Sequence, residues 1–226
     1  LEGVAVFMKA LLPAYYIALT GACGVATATA FYQMILILIF LTEKILLLFI
    51  LPAIRMYLVL ELINFLTKEE FLSKMTELLK NGILWALKSM VGVIVGIQLI
   101  QRMISPAVDT LKRSLIGRTA GALPGVGNLF SGITEVVLGS AVLIKNGLGA
   151  AAIVLLLLAG AAPLCRMGIS ALVYQFLAAL VQPVTDKRMV GCIHTMGESL
   201  GMLVRMLLTM EILFLLTIAI LAGSLQ

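Results

Sequence analysis

Gly121, Gly125, Asn128, Gly132, Glu135, Gly139, Val142 and Asn146 advance by alternating steps of four and three residues. On a helix this spacing makes a single stripe. The stripe is small or polar almost throughout, with one carboxylate at its centre and Ser131 beside it. Glycines in such density could cradle a phosphate, but a phosphate loop needs GxxxxGK followed by Ser or Thr, and no lysine follows these glycines. A dinucleotide fingerprint needs GxGxxG, and "GVGNLF" puts Phe130 where the third glycine belongs. Residue identity excludes both. Two physical uses remain. The stripe can be a close helix-packing seam of the small-xxx-small kind, with Glu135 satisfied by a buried partner. Alternatively it lines a water-filled path, where the glycines leave room and Asn128, Ser131 and Glu135 present polar groups. In a ring of repeated helices both uses hold at once.

Other charges stand inside apolar sequence. Arg55 and Glu61 interrupt one such stretch, and Arg205 and Glu211 another. A charge in a membrane segment is costly unless paired or wet, so these four are expected to pair between helices or to reach an interface. His194 is alone in "GCIHTMGE", with no acid or nucleophile placed to complete a catalytic set. Cys23, Cys165 and Cys192 are odd in number and far apart, which suits apolar packing rather than a disulfide or a metal site. Twelve methionines suit adaptable packing rather than a cofactor. The residues point to no enzyme, no metal and no cofactor.

The elements that must carry these residues follow from composition. Apolar residues make up 62% of the 226 and charged residues 12%, against about half and a quarter in soluble domains. Mean hydropathy is +1.16. No polar skin remains for a soluble core, so the chain is an integral membrane protein. Its segments are apolar on all sides rather than alternating, which selects helices over barrel strands. A helical span needs about 20 mostly apolar residues. Ala10–Thr42 carries no charge over 33 residues, Asn146–Cys165 none over 20, and Met167–Thr185 none over 19. Ile45–Leu66, Ile83–Ile104 and Leu200–Ala222 qualify with one or two ionisable residues each. The expectation is an all-α polytopic membrane protein with about five to seven membrane-embedded helices and additional amphipathic interfacial helices.

Along the chain, one membrane domain covering 1–226 divides into segments. Residues 1–66 are N-terminal apolar helices, broken at Pro13, at Glu43–Lys44 and at Pro52. The smooth run "GACGVATATA" lets neighbouring helices approach closely. Residues 67–81 read as an amphipathic helix lying at the membrane interface, opened by a Thr67–Glu70 capping box. Its apolar face holds Phe71, Leu72, Met75, Leu78 and Leu79; a partner's soluble domain is the other surface it could cover. A span at 82–104 follows, with Lys88 able to snorkel. Ser105–Pro106 opens a second interfacial helix over 105–118. The stripe helix occupies 119–146, continuous from about Gly125 because Pro124 breaks it. A hairpin of spans fills 147–185, and a capped segment and last span fill 186–226. Basic clusters at 68–88 and 112–118 flank one apolar span, so the positive-inside rule leaves orientation open unless 83–104 is re-entrant.

Sixteen basic against eleven acidic residues give a formal charge of +5. The basic residues are scattered over the connectors without interleaved aromatics, a pattern suited to the lipid bilayer and not to nucleic acid. The chain opens "LEGVAVFMKALLP", with neither an initiator Met nor a basic n-region ahead of a short apolar core. It does not read as a signal peptide and is expected to be the membrane part of a longer protein.

Two blocks, "PGVGNLFSGITEVVLGSAVLIKNGLG" (124–149) and "LAALVQPVTDKRMVGCIHTMGESL" (177–200), resemble the stage III sporulation protein AE family of endospore-forming bacteria. "FMKALLPA" (7–14) and "IQLIQRMISPAVDTLKRS" (97–114) extend the similarity along the whole chain. The resemblance implies the membrane portion of that family, without its N-terminal signal sequence and extracytoplasmic segment. It also implies a multi-pass component, in the mother-cell-derived membrane, of the channel joining mother cell and forespore. Implied partners are the other stage III sporulation A proteins, including a cytoplasmic secretion-type ATPase and ring-forming proteins, and the forespore-side Q protein. It implies no enzymatic activity and no catalytic residues.

Together these features lead to the expectation of a homo-oligomer that forms the membrane base of an intercellular channel, with the 121–146 stripe at its axis or subunit seam. A closed ring is one way for a heterologous interface to terminate. One rival is a small-solute transporter, which should show paired broken helices in two similar halves; no internal repeat is evident. The other is a scaffold that anchors the ATPase and rings and conducts nothing.

Overall fold

The computed structural model describes residues 2–23, 25–67, 72–120 and 127–223, and for 101–138, among others, the backbone course alone. Every element among the described residues is helical: α1 (Glu2–Cys23), α2 (Val25–Ile45), a π-turn (Leu46–Ile50), α3 (Leu51–Leu66), α4 (Ser73–Ala120), α5 (Gly127–Val181) and α6 (Lys187–Gly223). Four helical stretches among the described residues are long and apolar enough to cross a membrane: Ala28–Leu66, Ser73–Ile100, Asn146–Val181 and Lys187–Ile220. A fifth apolar stretch, Gly3–Ala18, is shorter.

These four stretches do not show the expected five to seven, and among the described residues charges and prolines interrupt the sequence without interrupting the helices. Glu and Lys are good helix formers, and α2 runs through Glu43 and Lys44 to Ile45. At Pro52 the chain widens rather than breaks. The π-turn Leu46–Ile50 precedes it, and the Leu51 N–H bonds back to the Leu46 carbonyl. A widened turn makes room for a ring that would otherwise meet the preceding carbonyls. Pro13 lies inside α1 and Pro163 inside α5. In α5 the backbone passes Arg166 unbroken, so one helix occupies the 147–181 stretch where a hairpin of spans is expected. Helix α4 likewise runs from Ser73 to Ala120 in one piece through Ser105 and Pro106. The Thr67–Glu70 capping box falls largely outside the described residues. Thr67 itself closes α3, its N–H and hydroxyl both bonding the Ile63 carbonyl at 2.9 and 2.7 Å.

The helices assemble into two compact units. One combines Leu1–Ala5, Phe40–Gly92 and Leu157–Ile212; the other combines Val6–Ile39, Val93–Leu156 and Leu213–Gln226. In the first unit α5 and α6 form an antiparallel pair around the turn at 182–186, where Val184 and Thr185 both bond the Val181 carbonyl. Met202, Met206 and Met210 are fully buried at helical spacing along α6, with Ile54, Ile83, Leu87 and Met90 also in the core. Flexible thioethers fill such irregular gaps well. Two glycines allow close approach there. A Cβ at Gly197 would lie 3.2 Å from the Ala171 carbonyl oxygen and the Gln175 nitrogen, and one at Gly191 would fall on the Phe65 ring.

In the second unit α1 packs on α2. Tyr16 and Thr29 share a hydroxyl hydrogen bond of 3.1 Å, and the Tyr16 and Tyr32 rings meet edge-on at 5.3 Å. Ala28 is completely buried, as the small-residue run between these helices requires. Gln98 of α4 donates to the Thr217 hydroxyl of α6 at 2.7 Å, a buried bond between two side chains.

Gly197→Leu is expected to cost about 1–3 kcal/mol through overpacking against α5. Gly201→Ala, where no atom lies within 4 Å of the added carbon, is expected to be neutral or slightly stabilising. Thermal unfolding of the two variants in one detergent measures the difference; equal midpoints would contradict the close α5–α6 contact.

Candidate functional site

The densest polar cluster among the described residues gathers three helices of the first unit around Glu198 of α6. Tyr57 of α3 donates its hydroxyl to Glu198 Oε2 at 2.6 Å. Lys80 of α4 donates to Oε1 and forms an ion pair with the same carboxylate. Both oxygens are thus engaged, one by a charged donor and one by a neutral donor. Charge-assisted bonds of this kind are the strong ones. They gain further where water is scarce.

Each residue reaches the cluster for a local reason. Tyr57 lies on the inward face of α3 with Ile54, the two being 3% and 2% exposed. Lys80 follows Thr76 by one turn of α4 and precedes Ile83 and Leu87, all three of which are buried. Thr76 and Lys80 therefore turn toward the protein, while Lys74, Glu77 and Asn81 of the same stretch are exposed. Its apolar residues Met75 and Leu78 are exposed, 52% and 74%, and face outward as lipid-facing residues would. Glu198 stands between Thr195, Ser199 and Met202, which are also buried. Thr195 satisfies its own hydroxyl on the Gly191 carbonyl at 2.9 Å, a bond available to threonine in any apolar helix. His194, one turn before Glu198, is exposed.

The intramembrane charges singled out in the sequence behave differently from one another. Arg55 and Arg205 are exposed. Glu61 is half-buried, and its Oε2 is buried with no hydrogen-bond partner. Glu211 is 5% exposed, and its Oε1 likewise lacks a partner. Its carboxyl rests on Gly160 of α5, where any side chain would collide with it. Neither Arg55–Glu61 nor Arg205–Glu211 forms an ion pair; the spacing of six places them on different faces of their helices.

Of the glycine stripe, Gly121 and Gly125 lie outside the described residues. Asn128, Ser131, Gly132 and Glu135 lie on the continuous backbone of α5, and their side chains are outside the described ones. Gly139 is exposed, with no atom within 4 Å of the position a Cβ would take, and Asn146 is half-buried. No group of three His, Cys, Asp or Glu residues among the described ones could hold a metal ion. Cys165 and Cys192 are free thiols.

Sequence reasoning missed Tyr57, Lys80 and Glu198 as a set. Lys80 reads there as the solvated side of an amphipathic helix. One signal was available: Glu198, Arg205 and Glu211 recur at steps of seven and six along one apolar helix, which marks a helix with repeated polar business on its faces.

Removing one partner of a half-buried ion pair leaves the other uncompensated. Lys80→Met and Glu198→Met are each expected to destabilise the protein, and the double variant to lose less than the two losses added. The coupling should be on the order of 1–3 kcal/mol. A double-mutant cycle on detergent unfolding reads it, and simple additivity would show that the pair contributes nothing.

Comparison with known proteins places these features in a family. The family model described as Stage III sporulation protein AE matches residues 1–224. Stage III sporulation protein AE of Bacillus subtilis (strain 168) is 24% identical over 222 residues, an alignment covering 97% of this chain and 56% of that relative. The chain thus spans about half the length of the curated relative it matches. No solved structure matches. With nearly its whole length matched, and with the multi-pass helical architecture described above, this chain belongs to the stage III sporulation protein AE family.

Proposed function

We propose that this chain is the membrane portion of a non-enzymatic component of the mother cell–forespore channel in endospore formation, and that its copies assemble into the channel's membrane base. The observation that carries the reading is the family match over residues 1–224. In this reading the protein resides in the mother-cell-derived membrane around the forespore. It works with other stage III sporulation A proteins, including a cytoplasmic ATPase, and reaches the forespore Q protein through the assembled channel.

The subunit contact is assigned to the stripe on α5. Gly139 is open to its surroundings within one protomer, so the stripe at that point is not consumed by packing inside the chain. Small residues at helical spacing let a second backbone approach closely, and a heterologous contact of this kind closes naturally into a ring. Glu135 and Asn128 then stand at the seam or the axis.

Native mass spectrometry in a mild detergent tests the assembly. A defined multimer is expected, and Gly139→Leu is expected to reduce it to smaller species. Glu135→Gln and Asn128→Ala are expected to leave the multimer intact and to change permeation of reconstituted vesicles. A wild-type monomer would sink the autonomous ring, and unaltered permeation with both polar variants would remove the stripe from the conducting path.

A further inference from the structure

Four cations stand alone in apolar stretches of the first unit: Arg55 on α3, Lys88 on α4, Arg166 on α5 and Arg205 on α6. All four are exposed. None has a carboxylate among the described residues within ion-pair distance. Arg166 is the only charge between Asn146 and Thr185.

The helix contacts set Lys88, Arg166 and Arg205 level with one another and Arg55 in a neighbouring band. Gly160 faces Glu211, and Ala171 and Gln175 face Gly197, so α5 and α6 run antiparallel. Arg166 and Arg205 each lie six residues from the Gly160–Glu211 pair, on the same side of it, and are therefore level. Tyr57 meets Glu198 and Phe65 meets Gly191, so α3 is antiparallel to α6 as well. Arg55 then falls opposite about residue 200, about 8 Å in depth from Arg205 at 1.5 Å per residue. Lys80 meets Glu198 and Gln98 meets Thr217, so α4 runs parallel to α6. Counting eight residues on from Lys80, which shares Glu198 with Tyr57, puts Lys88 opposite about residue 206.

The directions are outward. Arg55 lies two residues from the inward-facing Tyr57 and so on the opposite face of α3. Lys88 directly follows the buried Leu87, and Arg205 directly precedes the buried Met206, yet both head groups are exposed. Long cationic side chains lay their stems on apolar surface and carry the charge away from it.

We infer that Arg55, Lys88, Arg166 and Arg205 form a basic belt around the first unit that binds the phosphate groups of anionic phospholipids. Three cations at one depth, with Arg55 about 8 Å away in the same outward-facing band, favour a counter-charge along that band. A lipid headgroup layer supplies it as a continuous sheet, whereas four separate helices would each need their own acidic residue from a protein partner. Guanidinium groups bind phosphate oxygens bidentately, which makes the three arginines the stronger part of the belt. This inference does not depend on whether the protein forms a channel.

The test uses the full chain in a mild non-ionic detergent, titrated with phosphatidylglycerol or with phosphatidylcholine of the same acyl chains, and counts bound lipids by native mass spectrometry. Wild type is expected to prefer phosphatidylglycerol by tenfold or more, since each basic residue near such a surface contributes about fivefold. The triple variant Arg55→Gln/Arg166→Gln/Arg205→Gln is expected to lose most of that preference, and the corresponding Arg→Lys variant to keep most of it. Lys187→Gln/Arg188→Gln, which removes two charges outside the belt, is expected to bind as wild type does. Circular dichroism checks that each variant remains helical. Should the triple variant unfold, the three single variants carry the test, each with a several-fold loss. An unchanged preference in the triple variant, or in all three singles, would overturn the belt. So would displacement of the lipid by inorganic phosphate at equal concentration, which would mark a general anion site. Loss of self-association with lipid preference intact would assign these arginines to a protein interface instead.

Discussion

An apolar environment offers no solvent to a polar group, so each such group must find its partner within the protein. For the backbone this requirement selects helices and also keeps them going. A helix end exposes unpaired N–H and C=O groups, and continuing through a proline or a charge avoids that cost. Pro13, Pro163 and the Glu43–Lys44 pair all lie within helices, and the π-turn before Pro52 is the one local adjustment of its kind among the described residues. The same requirement governs the small polar side chains. Thr20, Thr29, Thr195, Thr209 and Thr217 each return a hydroxyl to the carbonyl four residues earlier. Glu198 is the case that no local bond could solve. Its carboxylate draws one donor from α3 and another from α4, so this one group ties three helices together.

Glycine serves two opposed purposes in these helices. At positions 160, 191 and 197 another helix occupies the space a side chain would need. Those glycines are fixed by contacts within the unit. Gly92, Gly96, Gly139, Gly147, Gly168 and Gly201 have open space instead. In an exposed helix interior glycine is less favourable than alanine by about 1 kcal/mol, so an open glycine is not explained by the packing of its own chain. A second surface brought close to it would explain it. Gly139 and Gly197 thus differ in what surrounds them, although the two look alike in sequence.

Helical class and membrane character were legible because they are averages. With 62% apolar residues and long uncharged runs, no soluble fold was available. Helix boundaries were less legible. Arg166 and the Glu43–Lys44 pair look like ends of spans because charge is costly in lipid, yet charge does not break a helix. Reading hydropathy therefore divides α5 where the backbone does not. The Glu198 cluster was illegible for another reason: Tyr57 and Glu198 are 141 residues apart, and Lys80 and Glu198 are 118 apart. Periodicity along one helix reveals which face is polar but not which distant residue that face will meet. For Lys80 the periodicity also suggested solvent, whereas its polar neighbour Thr76 is 3% exposed.

Apart from Glu77, which is exposed near the start of α4, the charges inside the apolar stretches of the first unit differ in placement by sign. The cations Arg55, Lys88, Arg166 and Arg205 are exposed, while Glu198 and Glu211 turn inward and Glu61 buries one carboxylate oxygen. Side-chain reach accounts for part of this. Arginine and lysine have stems long enough to cover apolar surface and still deliver their charge outward, and glutamate is shorter. Reach does not explain why none of Glu61, Glu198 and Glu211 pairs with one of these exposed arginines. An external layer of negative charge does explain it, because such a layer attracts each cation and repels each carboxylate. Glu198 is satisfied from within by Lys80, whereas Glu61 Oε2 and Glu211 Oε1 are buried without a hydrogen-bond partner. Lys80 is the exception that fits the rule, since it is the cation paired inside the unit and it is paired to an acid. The sorting is therefore better described as a response to the charge of the surroundings than as a collection of separate ion pairs.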